Sequence, residues 1–267
     1  MPVILNKKYE IIKNIGEGTF GKVFLGKSLK SDSIYAIKIQ NKNLPNIVKY
    51  EAKIYRHLRD ISGVPKIYNY GNFEGFNYLI MDYFNKTLED ANLSHSQIVK
   101  FLIESIKIIQ FIHERGVLHR DIKPDNFLID GSTDSLYLID FGLSKLYLDK
   151  DKLHIEERRE RKLIGTSKYS SLNVHHGIEA SRRDDMESIT YTFIKLYNKG
   201  LPWDNIDHKD YSKIYEKKRN SLSWMYKMPG EFITMMLYCR RLEYEEQPNY
   251  NYLINLFSNL LGNLFEN

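Results

Sequence analysis

Apolar and polar residues alternate along the N-terminal part of the chain, and this pattern predicts strands. Successive side chains of a strand point to opposite faces, so alternation places one set against a core and the other toward solvent. The alternating segments are Tyr9–Ile15, Lys22–Leu25, Tyr35–Ile39, Lys66–Tyr70 and Phe76–Met81. The pattern therefore predicts a small strand-rich region ahead of residue 82.

Apolar residues that recur every three or four positions predict helices in other segments. The predicted helices are Ile47–Arg59, Ser94–Arg115, Asp184–Lys199 and Tyr250–Leu261. Ser94 is the predicted N-cap of the second helix, and Gly116 is the residue predicted to stop it. Asp184 is the predicted N-cap of the third helix, which Gly200 is predicted to end. The chain after residue 85 is therefore expected to be mostly helical.

Composition narrows the class of protein. The chain has 267 residues, and its hydrophobic content of 42% is ample for a packed core. A net charge of +5 is modest and does not by itself indicate nucleic-acid binding. Cys239 is the single cysteine, which excludes an intramolecular disulfide and favours a reducing compartment. Without a signal peptide or an apolar run of ~20 residues, the sequence predicts cytoplasmic or nuclear residence and no membrane partner.

The stretch His119–Asn126, which reads H-R-D-I-K-P-D-N, and the following Asp140-Phe141-Gly142 are typical of phosphoryl transfer. Asp121 is suited to accept the proton of an attacking hydroxyl, and Lys123 to neutralise charge on the moving phosphoryl group. Asn126 and Asp140 carry oxygen atoms that suit magnesium held against nucleotide phosphates. The alternative, a polar loop between two strands, does not require these spacings to coincide. ATP and Mg2+ are therefore the expected cofactors.

Gly16, Gly18 and Gly21 form a G-x-G-x-x-G pattern ahead of this region. The pattern alone is weak, because glycines also mark ordinary hairpins and dinucleotide-binding turns. Here predicted strands lie on both sides and no helix opens after Gly21, which favours a flap over phosphates and not a Rossmann turn. Glycine lets the flap backbone approach the phosphates, and Phe20 at the tip is placed to cover them.

Lys38 lies in the alternating segment Tyr35–Ile39, in an apolar setting. A lysine in such a strand is usually an edge residue that points to solvent. Behind a glycine flap, the better interpretation is a lysine that contacts the α- and β-phosphates. Glu51, on the predicted helix Ile47–Arg59, is the expected anionic partner, with a solvated helix residue as the alternative.

These motifs resemble those of the eukaryotic protein kinases, and later segments are similar to the casein kinase I family. Gly165–Asn173, which reads G-T-S-K-Y-S-S-L-N, stands where most protein kinases carry A-P-E. The other similar segments are Gly177–Ser188, Leu201–Trp203 and Tyr238–Leu242. The resemblance extends over nearly the whole chain.

This resemblance implies an α+β, two-lobed protein kinase fold in a single domain, residues 1–267. A small antiparallel sheet with one helix is expected as the N-lobe, about 1–81, followed by a hinge at about 82–85. A larger, mainly helical C-lobe is expected over about 86–267. Lys123, two residues after Asp121, is similar to the serine/threonine version of the catalytic loop. The resemblance therefore implies a monomeric enzyme that transfers the γ-phosphate of ATP to protein serine or threonine.

The resemblance also implies an adenine pocket. Met81 is the residue expected at its back, and backbone groups near Asp82 and Phe84 are expected to bond the adenine edge. Apolar walls are expected to sandwich the ring, and they come from Ile15, Val23, Ala36 and Leu128. An ordinary core position is the alternative interpretation for each of these four residues.

A basic run lies between His154 and Tyr169, and such a run is usually a solvated surface. The resemblance implies instead that Arg120, Arg161 and Lys168 bind an acidic or phosphorylated group N-terminal to the target serine. Substrates would then be acidic or phospho-primed proteins, and the enzyme's own loop would need no phosphate. The loop Asp204–Asp210 is shorter than its family counterpart and lacks its basic cluster, which predicts an altered substrate preference.

Two rival functions make different predictions. A catalytically weak kinase-fold binding module, or pseudokinase, predicts loss of at least one of Lys38, Asp121, Asn126 and Asp140, and all four are present. A small-molecule kinase with a related catalytic loop predicts no G-T-S-K-Y segment, which is also present. The pattern favours an active protein kinase.

Overall fold

In the computed structural model, which describes residues 3–18, 21–220 and 222–266, the chain divides into two compact units. The first comprises Met1–Lys86 and Leu128–Gly142, and the second comprises Thr87–Phe127 and Leu143–Asn267. The sequence predicted two lobes that follow each other along the chain, with one boundary near residues 82–85. The observed units are defined by contacts between residues, and each unit contains two separate stretches of the chain. The segment with Leu128 and Asp140 accordingly belongs to the first unit.

The first unit is built on an antiparallel sheet. Its strands are β1 Ile4–Leu5, β2 Tyr9–Gly18, β3 Gly21–Ser28, β4 Ile34–Asn41, β5 Ile67–Phe73 and β6 Phe76–Asp82. They lie in the order β1-β2-β3-β4-β6-β5. The five predicted strands are confirmed, and each extends further at its C-terminal end than predicted, while β5 begins one residue later. Strand β7, Lys86–Thr87, lies at the boundary of the units, and β9, Phe127–Asp130, is hydrogen-bonded to β10, Ser135–Leu138.

The register of this sheet decides which side chains share a face. Val23 lies opposite Lys38, and Ala36 lies opposite Met81, so all four point to the same face. The opposite face carries a buried cluster, which consists of Leu5, Ile37, Tyr78 and Ile80. Strand alternation therefore separates a core face from a face that carries the predicted functional residues.

One helix, α1 (Ile47–His57), packs against β4, β5 and β6. It begins where the Asn46 side chain accepts a hydrogen bond from the backbone N–H of Lys49 at 2.9 Å. It ends two residues before the predicted Arg59, because Leu58 already leaves helical geometry with φ −97° and ψ 8°. Its buried residues include Glu51 and Tyr55, which lie one turn apart on the same side.

The second unit is mainly helical. Its helices are α2 His95–Glu114, α3 Leu172–His175, α4 Arg182–Asn198, α5 Tyr211–Arg219, α6 Leu222–Met225, α7 Gly230–Arg241 and α8 Tyr250–Glu266. The long helix α2 packs against α4 and α8, and α4 packs against α7. A short antiparallel pair, β8 (Val117–Leu118) with β11 (Lys145–Leu146), brackets the predicted catalytic stretch. A sheet with one helix and a helical remainder confirm the predicted α+β class.

At the helix ends, the predictions for Ser94 and Gly116 are confirmed and the prediction for Asp184 is wrong. Ser94 caps α2 and forms a capping box with Gln97, and Gly116 follows the helix with φ +75°, as predicted. Asp184 is not the N-cap of α4, because the helix begins earlier and Ser181 occupies that position. Asp184 instead lies inside the first turn and accepts a hydrogen bond from the backbone N–H of Ser181 at 2.7 Å. The pattern missed this because the first turn of α4 is polar throughout.

No helix in the described part of the chain combines the length and apolar character that a membrane crossing needs.

Candidate active site

Lys38 is the centre of a buried charged cluster in the first unit. Its Nζ lies 2.8 Å from Oε2 of Glu51 and 2.8 Å from Oδ1 of Asp140. The Lys38 side chain is 10% exposed and that of Glu51 is 1% exposed, so neither ion is solvated by bulk water. Burial lowers the pKa of Lys38, but the two carboxylates more than offset this, and the net pKa is raised. The predicted Lys38–Glu51 pair is present, and Asp140 joins it.

Helix α1 also holds the backbone of Asp140. The backbone N–H of Asp140 donates to the Tyr55 hydroxyl at 3.1 Å, and the Tyr55 ring meets Phe141 edge-on at 5.0 Å. Asp140 has φ +66°, which is uncommon for a residue with a β-carbon and is often found at functional positions. Tyr55, fully buried on α1, therefore helps to hold this carboxylate in an unusual backbone conformation.

The three predicted flap glycines differ in whether the surrounding structure leaves room for a β-carbon. Gly21 has φ +145°, and a β-carbon there would lie 2.2 Å from the carbonyl oxygen of Ile39, so only glycine fits. A β-carbon on Gly16 would meet Val23 at an ordinary 3.9 Å, and one on Gly18 meets no described atom within 4 Å. The fold thus requires glycine at position 21 and leaves room for a β-carbon at positions 16 and 18. Phe20 lies outside the described residues.

The residues predicted around adenine all belong to the first unit. Met81 is buried, whereas Val23, Ala36 and Leu128 are partly buried and Ile15 is exposed. The Asp82 carboxylate accepts from the backbone N–H of Lys66 and from the Tyr68 hydroxyl, both at 2.8 Å. The Phe84 ring stacks on Tyr137 at 4.1 Å. Asp82 and Phe84 therefore have structural partners for their side chains, and the backbone N–H of Asp82 also donates to the Lys66 carbonyl at 3.0 Å.

Asp121 is the centre of a second group of polar residues, in the second unit. Its Oδ1 accepts from the backbone N–H and the hydroxyl of Thr166, both at 2.8 Å. Its Oδ2 lies 3.1 Å from Nζ of Lys123 and 3.3 Å from Nδ2 of Asn126. Asn126 Nδ2 also donates to the backbone carbonyl of Asp121 at 2.8 Å. The structure thus brings Asp121, Lys123 and Asn126 together, and it adds Thr166.

The loop that carries Asp121 is held by a buried carboxylate on α4. Asp185 accepts from the backbone N–H groups of His119 at 2.8 Å and Arg120 at 2.9 Å. Its Oδ2 also lies 3.0 Å from Nε2 of the buried His113. Arg120 has φ +66°, a strained conformation that these bonds support. Gly165 packs against this turn, where a β-carbon would lie 2.3 Å from the Arg120 carbonyl oxygen.

The predicted anion-binding residues form two separate arrangements. Arg120 Nη1 and Arg161 Nε lie 3.7 and 3.4 Å from the buried carboxylate of Glu179, which also pairs with Lys145 at 3.0 Å. Lys168 instead donates to the backbone carbonyl of Asp204 at 2.9 Å. The structure therefore gathers Arg120 and Arg161 around Glu179 and anchors Lys168 elsewhere. A small cavity of about 30 Å³ is lined by Arg120, Arg161 and Glu179 among others.

Sequence reasoning missed several residues that the structure places beside the predicted ones. These are Tyr55, Lys145, Thr166, Glu179 and Asp185. Thr166, Glu179 and Asp185 lie inside segments already noted for their family resemblance, so their positions were available as a signal. Tyr55 gave no such signal, because an apolar-face tyrosine on a helix is indistinguishable from an ordinary core residue.

The donor set fits magnesium. Asp140 supplies a carboxylate, and its side chain is 32% exposed, which leaves it accessible. The amide nitrogen of Asn126 is engaged by Asp121, so its amide oxygen is the atom suited to a cation. Mg2+ typically uses one or two protein oxygen ligands together with substrate phosphates. Asp140 in the first unit and Asn126 in the second therefore each keep an oxygen atom of the kind that Mg2+ binds.

A comparison with known protein families gives a match over most of the chain. The family model described as "Protein kinase domain" matches residues 9–256. The match includes both groups of polar residues described above and nearly all of both units.

Proposed function

We propose that this chain, which belongs to the protein kinase family, is an active serine/threonine kinase of the casein kinase I type that uses ATP and Mg2+. Family membership makes it a phosphotransferase with protein substrates. The observation that carries the proposal of activity is the carboxylate of Asp121, which Lys123, Asn126 and Thr166 hold through four contacts. The Lys38–Glu51 pair, which a nucleotide-binding kinase also needs, is intact.

Each residue has a definable task in phosphoryl transfer. Lys38, held by Glu51 and Asp140, places a positive charge where the α- and β-phosphates of the nucleotide bind. Asp121 accepts the proton of the attacking serine or threonine hydroxyl as the hydroxyl oxygen bonds to the γ-phosphorus. The bond between the γ-phosphorus and the oxygen that bridges it to the β-phosphate breaks, and ADP leaves. Lys123 neutralises charge on the transferred group, and Asp140 and Asn126 are the residues that would hold a magnesium ion. Bound Mg2+ would supply charge neutralisation at the phosphates.

The preference for acidic or primed substrates is supported by charge around Glu179. Arg120, Lys145 and Arg161 surround this single carboxylate, which leaves an excess of positive charge at one place. Arg161 is 48% exposed, so a guanidinium fork remains accessible to an anion from solution. Lys168, bonded to Asp204, would act separately in binding the same substrate, at a second point.

The first experiment tests activity itself. Purified protein is incubated with radiolabelled ATP and a serine peptide, with and without Mg2+, beside the Asp140→Asn variant. We expect magnesium-dependent label transfer by the wild type and none by the variant, because the amide lacks the charge that holds the metal. A wild-type protein that binds ATP and transfers no label would instead favour the binding-module interpretation.

The second experiment tests substrate choice. A peptide with phosphoserine three residues before the target is compared with its unphosphorylated form, using wild type and an Arg161→Glu, Lys168→Glu variant. Charge-assisted bonds to a phosphate are worth about 1.5–3 kcal/mol, so kcat/KM for the primed peptide should fall at least ~10-fold. The unprimed peptide makes no such contact, so its kcat/KM should change much less.

A matched control separates this site from bulk charge. Lys107→Glu and Lys217→Glu reverse two exposed lysines of the same unit and give the same change in net charge. We expect this control to retain the preference for the primed peptide. An equal loss for both peptides in the Arg161, Lys168 variant would mean that these residues only support the loop, and no loss would mean a solvated surface.

A further inference from the structure

Lys218, near the end of α5, is a lysine with no exposed surface. Its side chain has 0% relative exposure. Its Nζ donates to the backbone carbonyl of Ser167 at 2.8 Å and to that of Ser170 at 2.5 Å, and it lies 3.3 Å from Nε2 of His175. Lysine is almost never fully buried unless its ammonium has partners, so this arrangement needs a reason beyond solubility.

Aromatic rings complete the surroundings of this amine. Nζ lies 4.6 Å from the centre of the Tyr191 ring and 5.4 Å from that of Trp203, within range of a cation–π interaction. Burial lowers the pKa of Lys218, and Glu187 opposes this effect. Either protonation state keeps at least two N–H donors, so both carbonyl bonds are available whether the amine is charged or neutral.

The segment that Lys218 holds, Thr166–Ser171, is fixed at several further points. Trp203 Nε1 donates to the Lys168 carbonyl at 2.9 Å, and the Ser167 hydroxyl donates to the His208 carbonyl at 2.6 Å. The Ser171 hydroxyl donates to Asp184. Every one of these partners lies in the second unit, so the segment is tied to its own scaffold.

The same segment begins at the residue that contacts the proposed catalytic base. Thr166 gives Asp121 two hydrogen bonds, and Lys123 Nζ donates to the Thr166 hydroxyl at 3.2 Å. A shift of the segment that follows Thr166 would therefore move donors of the Asp121 carboxylate. Lys218 donates to carbonyl groups within the segment, and Asp121 accepts hydrogen bonds from Thr166, its first residue. The segment therefore connects the buried amine on α5 to the carboxylate of the proposed base.

We propose that Lys218 is a positioning residue, which holds the Ser167 and Ser170 carbonyls and thereby fixes Thr166–Ser171 against Asp121 for phosphoryl transfer. This inference rests on the proposed function. Removing the amine takes the Lys218 donor away from both carbonyl oxygens, and only the Ser167 carbonyl keeps another possible donor, Nε2 of His175 at 3.0 Å. A buried carbonyl that loses its donor destabilises the segment that carries it.

The experiment compares Lys218→Met with Lys217→Met, in which the neighbouring exposed lysine is changed in the same way. Three quantities are measured for each variant and for the wild type: kcat/KM for a serine peptide, the Kd for ATP from calorimetry, and amide hydrogen exchange of residues 166–171. For Lys218→Met we expect at least a ~10-fold loss of kcat/KM, an ATP Kd within ~2-fold of wild type, and at least ~10-fold faster exchange in the segment. Lys217→Met should match the wild type in all three.

Lys218→Gln provides a graded test if the methionine variant does not fold. Glutamine keeps two N–H donors on a shorter side chain, so exchange and kcat/KM should fall between those of wild type and Lys218→Met. Unchanged exchange of residues 166–171 in either folded variant would overturn the proposal, as would an equal loss of ATP affinity and peptide turnover. A wild-type protein without kinase activity would refute the proposed function, and the exchange measurement would still decide whether Lys218 holds the segment.

Discussion

The two units hold their functional groups by different means. In the first, Lys38, Glu51 and Asp140 come from separate elements and bond to one another through charged side chains. In the second, Asp121 receives a backbone N–H and a hydroxyl from Thr166, while Asp185 and Lys218 hold the nearby chain by its backbone groups. The predicted functional groups of the first unit therefore support one another. In the second unit, Asp121, Lys123 and Asn126 also contact one another, but the chain that carries them is held in addition by Asp185 and Lys218, which have no proposed chemical role.

This difference predicts how function and stability separate. A buried ion that loses its partner is costly, so a change at a functional residue of the first unit should also destabilise the fold. In the second unit, the backbone bonds from Asp185 and Lys218 survive a change of the functional side chain. Activity there should therefore be separable from stability.

The largest expected effect is on turnover, in the second unit. Asp121→Asn keeps the size of the side chain and removes its ability to accept a proton, so kcat should fall by about 100- to 10,000-fold. Because the loop is held by Asp185, the ATP Kd from calorimetry should stay close to that of wild type. Retention of more than about a tenth of wild-type turnover would contradict the role given to Asp121.

The next effect is on stability, in the first unit. Lys38→Met leaves Glu51 as a buried carboxylate without its cation, which should lower the free energy of unfolding in urea by roughly 3–5 kcal/mol. The control is Lys22→Met on β3. Lys22 is 53% exposed, and its Nζ lies 3.6 Å from Oε1 of Glu17, so this is a loose ion pair at the surface. That change should cost no more than about 1 kcal/mol. Similar losses for the two variants would remove the contrast between the units.

A third prediction concerns pH and the segment that Lys218 holds. Burial, and then the Lys218 amine, lower the pKa of His175 from its ordinary value to about 4. Between the ordinary value and about 4 the unfolded chain binds more protons than the folded one, so stability should fall as pH falls through this window. We expect His175 to contribute roughly 1–3 kcal/mol to this loss.

The contribution of His175 is isolated by difference. His175→Gln removes the titrating group, so the gap in unfolding free energy between wild type and variant should narrow as pH is lowered from 7 to 4. Asp184 titrates in the same range, because burial raises its pKa to about 6, and it contributes with the opposite sign to both proteins. A gap that does not change with pH would show that His175 does not titrate on unfolding.

The smallest expected effect is at Asp140. Tyr55→Phe removes only the hydroxyl that accepts from the Asp140 backbone N–H, and one such bond is worth about 0.5–1.5 kcal/mol. Affinity for Mg2+-ATP from calorimetry should therefore weaken by about 2- to 12-fold. Tyr78→Phe is the control, as it removes another buried hydroxyl from the same unit and should leave Mg2+-ATP affinity unchanged. Equal changes in the two variants would mean that the Tyr55 bond does not position Asp140.

Local chemistry explains why much of the fold was predictable. The strands around Gly16–Gly21 and Lys38 follow from alternation, and α2 follows from its apolar spacing and from the capping box at Ser94. Asp184 was placed wrongly because Ser181 and Asp184 are both good capping residues and no apolar pattern marks the first turn of α4. Where two neighbouring residues could each cap a helix, the packing of the helix in the fold determines which of them is the N-cap.

The sequence by itself determined the class of chemistry, because the order and spacing of Asp121, Lys123, Asn126 and Asp140 are properties of a continuous chain. It also predicted that Lys38 and Glu51 would pair. Only the tertiary structure decided that Asp140 joins this pair, that Glu179 gathers Arg120 and Arg161, and that Lys218 supports Ser167 and Ser170. These partners are far apart in the chain and of ordinary residue types. Their contacts exist only because helix and strand packing excludes water and leaves each buried charge or carbonyl to find a partner within the fold.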